Sequence, residues 1–387
     1  MDQRTVQILF ALLRSAISGE KLTDDEYACY SPELLNDLLE ISDKHDVAHL
    51  LAYGLKQNSL VADGSVNIEK YIFRSVYRYE QFRYEFDSLC IAFEQAKIPF
   101  LPLKGAVIRK YYPEEWMRTS CDIDILVRRE DLEAAISYLK EELNYTEKER
   151  ATHDVSLFSP TGVHVELHFD LVEEGRANNA IGILCDVWNN VSLYEDSKYR
   201  YEMRDEFFYF YHIAHMAKHF ESGGCGIRPF LDLWILERME NIDRSARDSL
   251  LLEGRLLKFA DESRGLCQRW FCGKAGDDLL DQMQSFILCG GIYGSVDNRV
   301  VLQQSKKRSR LRYIFSRLFI PYAKLRRYYP ILNKYPWLMP FMQVRRWFML
   351  LKPNVAKMAV REIAVNSSID RSKVDEMNIF LDNIGLK

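Results

Sequence analysis

Apolar residues recur at three- and four-residue steps through the first hundred positions, which predicts helices. Val6 to Leu13 is mostly apolar. With Asp2 in front, Gln7 inside and Arg14 behind, it reads as an amphipathic helix rather than a signal peptide. Asp24-Asp25-Glu26 and Ser31-Pro32-Glu33 mark helix starts, with acids in the first turn and Pro at the first helical position. Leu34, Leu35, Leu38, Leu39 and Ile41 form the stripe behind the second start, and a loop falls at Gly64-Ser65. Ile72, Val76, Tyr79, Phe82, Phe86, Leu89 and Phe93 then predict a helix of about six turns. Its other face carries Arg74, Arg78, Glu80, Arg83 and Glu85. The aromatic stripe reads as core packing.

The period changes at Ile98-Pro99. Residues 98–103 are short, apolar and extended, and 106–112 is helical up to Pro113. Residues 122–127, Asp-Ile-Asp-Ile-Leu-Val, predict a buried strand. A helix over 130–142 follows, then strands at 145–147 and 154–158. Pro160-Thr161-Gly162 is a turn, so 163–171 returns as a hairpin partner of 154–158. This order describes an α+β unit, a small mixed sheet covered by helices on one side and flanked by N- and C-terminal helical regions. From about 178 the helical period returns. It includes an aromatic stretch over 207–220 with His212, His215 and His219, a break at Ser222-Gly223-Gly224, and a polar helix near 374–382. The expected organisation is a helical region over 1–97, an α/β core over 98–177, helices over 178–297 and a basic aromatic region over 298–387.

The chain's 387 residues suffice for two or three cores. Its eight cysteines form no Cys-x-x-Cys pair and read as reduced thiols, which places the protein in the cytoplasm. No apolar run is long enough to span a bilayer. The net charge of −4 conceals an asymmetry. Residues 298–361 contain 16 Lys and Arg and no Asp or Glu, leaving the rest of the chain at −20. Among them, Leu311, Phe315, Leu318 and Phe319 alternate with Arg310, Arg312 and Arg317. Trp337, Trp347 and Phe348 lie among Lys334, Arg345 and Arg346. Such a surface suits anionic lipid headgroups, which would make the protein peripheral to a membrane. It equally suits RNA phosphates with stacked bases, or the acidic remainder of the same chain.

Period-two alternation puts Asp122 and Asp124 on one face, about 7 Å apart along the strand. Two carboxylates on a buried strand repel each other and resist desolvation, so something cationic must hold them; hard oxygen ligands suit Mg²⁺. In Val163-His164-Val165-Glu166-Leu167-His168 the same alternation groups His164, Glu166 and His168. If this strand lies beside the first, Glu166 completes a three-carboxylate cluster able to hold paired divalent ions.

Leu103-Lys104-Gly105, Arg118-x-x-x-Asp122-Ile123-Asp124-Ile125-Leu126-Val127 and Glu166-Leu167-His168-Phe169 together resemble an uncharacterised bacterial nucleotidyltransferase family within the polymerase-β-type superfamily. His215-x-x-Lys218-His219 and Arg228-x-x-x-Asp232 resemble its helical half. The resemblance implies Asp122, Asp124 and Glu166 as catalytic carboxylates and ligands of Mg²⁺ or Mn²⁺, with Glu166 the candidate base. It implies that an NTP is the substrate and that an unidentified hydroxyl accepts the nucleotide. Lys104, Gly105, Arg118, His168 and Lys218 become the nucleotide-binding candidates. Gly105 would let the backbone approach phosphate closely, and the helices over 178–297 would close the cleft. The superfamily carries Gly-Ser at this loop, whereas Ala106 follows Gly105 here. A fold retained without turnover, as a scaffold or membrane-surface adaptor, is the alternative. His215 and His219 can also be read as a zinc pair or as plain packing.

Overall fold

The computed structural model describes residues 2–61, 67–172, 180–292, 294–295, 298–302, 319–322, 325–326, 329, 331–350 and 371–387. Five helices open the chain: α1 (Gln3–Ser18), α2 (Asp24–Cys29), α3 (Leu35–Lys44), α4 (Ala48–Gln57) and α5 (Glu69–Ala96). Thr23 caps α2 reciprocally with Glu26, and Pro32 opens a 3₁₀ turn before α3. The sheet follows, comprising β1 (Phe100–Pro102), β2 (Asp122–Val127), β3 (Thr146–Arg150), β4 (Asp154–Phe158) and β5 (His164–His168). Between its strands lie α6 (Gly105–Ile108) and α7 (Leu132–Glu142).

Strand order is β1-β2-β5-β4-β3. β2 and β5 run parallel, with Asp124 opposite Glu166, and the other pairs are antiparallel. Ile123, Ile125 and Val127 of β2 and Val165 and Leu167 of β5 point to one face. There they meet Phe82, Leu89 and Phe93 of α5 and Ile136 and Leu139 of α7. The pleat therefore delivers Asp122, Asp124, Glu166 and His168 to the opposite face. That face looks toward α9 (Asp205–Phe220) and α10 (Arg228–Leu236), which precede α11 (Arg244–Glu253), α12 (Leu257–Cys272) and α13 (Asp278–Leu288); a short α8 (Ala180–Cys185) lies before them. One apolar cluster joins α1 and α4 to α9, α10 and α12, with Phe10 stacked on Trp270.

Several expectations need adjustment. The extended stretch over 98–103 shortens to three strand residues, because Lys104 turns the backbone to a positive φ of 43°. The helix over 106–112 starts at Gly105 and tightens to a 3₁₀ turn over Arg109–Tyr111, and Pro113 holds Tyr112 extended. Residues beyond 178 are not all helical. β6 (Val191–Leu193) and β7 (Tyr201–Met203) form a hairpin, and Phe100 N donates to Tyr199 O at 2.9 Å, just before β7. Three-residue strands are too short to show a period. Glu85, assigned to the polar face of α5, is buried and accepts hydrogen bonds from Tyr145 and Thr161.

Arg310, Leu311, Arg312, Phe315, Arg317 and Leu318, and the Gly64-Ser65 loop, lie outside the described residues. The last helix spans Arg371–Asn383. All eight cysteines are free. Among the described residues no helix is long and apolar enough to cross a membrane.

Candidate active site

A cleft of about 530 Å³ lies between the polar face of the sheet and α9–α10. Lys104, Gly105, Arg118, Asp122, Asp124, Glu166, His168 and Lys218 all line it. β2 supplies the two aspartates and β5 supplies Glu166 and His168. The turn after β1 supplies Lys104 and Gly105, and α9 supplies Tyr211, His215, Lys218 and His219.

Asp124 is the electrostatic centre. Lys104 Nζ donates to its Oδ1 at 2.8 Å, and His168 Nε2 lies 2.8 Å from the same oxygen. Burial opposes ionisation of Asp124, but Lys104 and His168 outweigh it and hold the carboxyl well below the usual range. Burial also opposes the charge on Lys104, yet Asp124 raises its pKa above the ordinary lysine value. His168, expected beside Glu166, sits chiefly on Asp124, and its Nε2 is 3.4 Å from Glu166 Oε2. Hydrogen bonds to both carboxylates overcome its burial and raise its pKa. Asp122 behaves oppositely: burial, then the neighbouring Asp124, raises its pKa.

Glu166 belongs to two groups whose ligand atoms converge within 4.8 Å, one with Asp122 and His164 and one with Asp124 and His168. Carboxylate oxygens suit Mg²⁺ and Mn²⁺, so the carboxylates of these donor sets fit a hard divalent cation.

Arg118 lines the cleft and is held by a carboxylate. Its guanidinium is buried and forked onto Asp232 of α10, with Nε at 2.7 Å from Oδ1 and Nη2 at 2.8 Å from Oδ2. Tyr112 donates to Asp232 as well, at 2.7 Å. The cation nearer to open space is Arg228, which donates to Asp46 Oδ2 at 2.8 Å on the cleft wall. His215 and His219 of α9 face each other, Nε2 to Nε2, at 3.0 Å. Neither belongs to a three-ligand group among the described residues.

Sequence reasoning missed the support behind Gly105. A Cβ on Gly105 would lie 2.2 Å from Ser120 Oγ, so the hydroxyl occupies the space that only glycine leaves. Arg109, buried with its guanidinium 3.6 Å over the Phe82 ring, donates to Gly105 O at 2.8 Å and to Ser120 Oγ at 3.1 Å. Neither residue belongs to a periodic pattern. Ser120 could have been noticed only from its place between Arg118 and Asp122.

A family model described as uncharacterised nucleotidyltransferase matches residues 31–272. No curated protein and no solved structure matches the chain. The matched span runs from the turn before α3 to the last residue of α12, and holds the whole sheet, its carboxylates and both walls of the cleft. With most of its length so matched, the chain belongs to this uncharacterised nucleotidyltransferase family.

Proposed function

We propose that the protein is a metal-dependent nucleotidyltransferase that moves a nucleoside monophosphate from an NTP to a hydroxyl acceptor. The observation that carries this reading is the pairing of Asp124 with Glu166 across parallel strands, beside Asp122, on the floor of a cleft with a lysine at its edge. The acceptor oxygen attacks the α-phosphorus and the bond to pyrophosphate breaks. Glu166 takes the hydroxyl proton. Asp122, Asp124 and Glu166 would hold the divalent cation, which supplies charge neutralisation on the phosphates.

The protein's own groups do the rest. Lys104 points its ammonium at the cleft side of Asp124 and is positioned to meet a phosphate oxygen. Ser120 Oγ accepts from Arg109, which leaves its own proton to donate to an anion. That hydroxyl answers the absence of a serine after Gly105. Arg228 and Lys218 extend the cationic wall. Arg118, committed to Asp232, positions the loop before β2 rather than touching phosphate.

A fold without turnover is the second reading. It is favoured by Asp124 Oδ1, which already serves both Lys104 and His168. One experiment separates the two. Each NTP is titrated into the full-length protein with Mg²⁺ or Mn²⁺ by calorimetry, and pyrophosphate release is followed in the presence of cell extract. Binding with release, lost in Asp124→Asn, supports transfer. Binding without release supports the inactive fold, and failure of every nucleotide to bind overturns transfer.

A further inference from the structure

The nucleotide cleft leaves the described part of the basic tract without a role. Within it, Pro336–Leu338 forms a 3₁₀ turn that leads into a helix over Met339–Leu350. Trp337, Phe341, Val344 and Phe348 follow at steps of four, three and four residues. On a helix these fall within an arc of about 60° and run for about 16 Å. All four are exposed, at 68%, 66%, 43% and 70%. The other side of this segment is already employed: Leu338, Met339 and Met342 pack on a small core of Ile320, Leu325 and Leu332. Among the described residues, packing therefore accounts for the inner apolar side and not for the outer one. A helix that is apolar on its solvent side marks a contact surface.

The charges indicate what it contacts. Lys334 and Arg345 are exposed at the flanks of the stripe. Across residues 298–361 there are 16 basic residues and no acidic one. An interfacial helix has this make-up, with Trp and Phe entering the acyl boundary and Lys and Arg resting on negative headgroups. Single-stranded RNA would be gripped by rings lining a groove. Here the residues stand on a convex helix, and the aliphatic Val344 has no planar face for a base.

We propose that the Trp337–Phe348 face docks on the surface of an anionic bilayer, lying in the interface without spanning it. Its apolar side chains insert, and Lys334 and Arg345 hold the headgroups. The cleft would then work beside a membrane.

The test uses full-length protein with vesicles of phosphatidylcholine alone or mixed with phosphatidylserine, at low and high salt. Expected is binding at least about tenfold stronger to the anionic vesicles, weakened by salt. Phe341→Ser/Phe348→Ser should reduce it by about a hundredfold or more, the effect of losing roughly two buried side chains. Lys334→Gln/Arg345→Gln should remove the preference for anionic lipid. Lipids brominated near the headgroup should quench wild-type fluorescence more than that of Trp337→Phe. If a variant misfolds by circular dichroism, this quenching decides alone. Equal binding to neutral vesicles, quenching unchanged by Trp337→Phe, or tight RNA binding with no vesicle binding would overturn the proposal. A stable dimer that buries this face, seen by light scattering and broken by the Phe341/Phe348 variant, would overturn it too.

Discussion

Arg118 and Asp232 close a two-pronged ion pair across 114 positions of sequence, joining the loop before β2 to the helix that walls the cleft. Burial opposes the charge on Asp232, but Arg118 prevails and holds its pKa below the ordinary value. Removing one partner strands the other charge in a buried site. Asp232→Ala is therefore expected to destabilise the protein by about 3–5 kcal/mol. The double variant with Arg118→Ala should fall well short of the sum of the two single effects. Urea unfolding monitored by tryptophan fluorescence checks both.

Gly105 and Ser120 share one pocket of space. Gly105→Ala places a methyl group against Ser120 Oγ and should destabilise by about 1–3 kcal/mol. Adding Ser120→Ala removes the clashing hydroxyl and leaves the Ser120 Cβ at 3.4 Å, so the clash is relieved and stability should recover in part, short of what Arg109 loses with its acceptor. Nucleotide affinity should not recover if that hydroxyl meets phosphate. Thermal melting and calorimetry on the single and double variants separate the two effects.

Buried histidines set an acid limit. Burial lowers the pKa of His45 from 6.5 to about 4, and it lowers those of His49, His212 and His215. The unfolded chain therefore binds more protons than the folded one between about pH 4 and 6.5. Stability is full above this window and falls as pH drops through it, by about 3 kcal/mol from His45 alone. Urea midpoints measured from pH 7.5 to 4 should show the decline, and His45→Phe should flatten its slope. Asp232 adds its loss only at lower pH, below its unfolded value.

Glu85 anchors the sheet's cover. Its carboxylate accepts from Tyr145 OH at 2.9 Å and from Thr161, tying α5 to the approach to β3 and to the β4–β5 turn. Tyr145→Phe should destabilise by about 1–3 kcal/mol, and Glu85→Leu with Tyr145→Phe by less than the two single changes combined. Chemical denaturation of the three variants is the measurement.

These cases mark what the sequence can and cannot convey. β2 and β5 were readable because aliphatic alternation reports the pleat directly, and the same alternation grouped Asp122 with Asp124 and Glu166 with His168. The helical stripe of α5 was readable for the same reason. Yet one carboxylate on its polar side turned inward, because Glu85 had partners 60 and 76 positions away. Nothing around Arg118 in the sequence pointed to Asp232, and His168 reaches across to Asp124 as well as to Glu166 on its own strand. Periodicity fixes which side of an element a residue takes. It carries no record of which distant group waits there.

The same-direction alignment of β2 and β5 gives the acidic floor an all-or-nothing character. Inserting a single residue early in β5 would swing Glu166 and His168 under α5 and α7 and bring Val165 and Leu167 out in their place. Drift in this lineage should therefore proceed through the outer helices and loops, while the spacing within these two short strands stays locked to an even count.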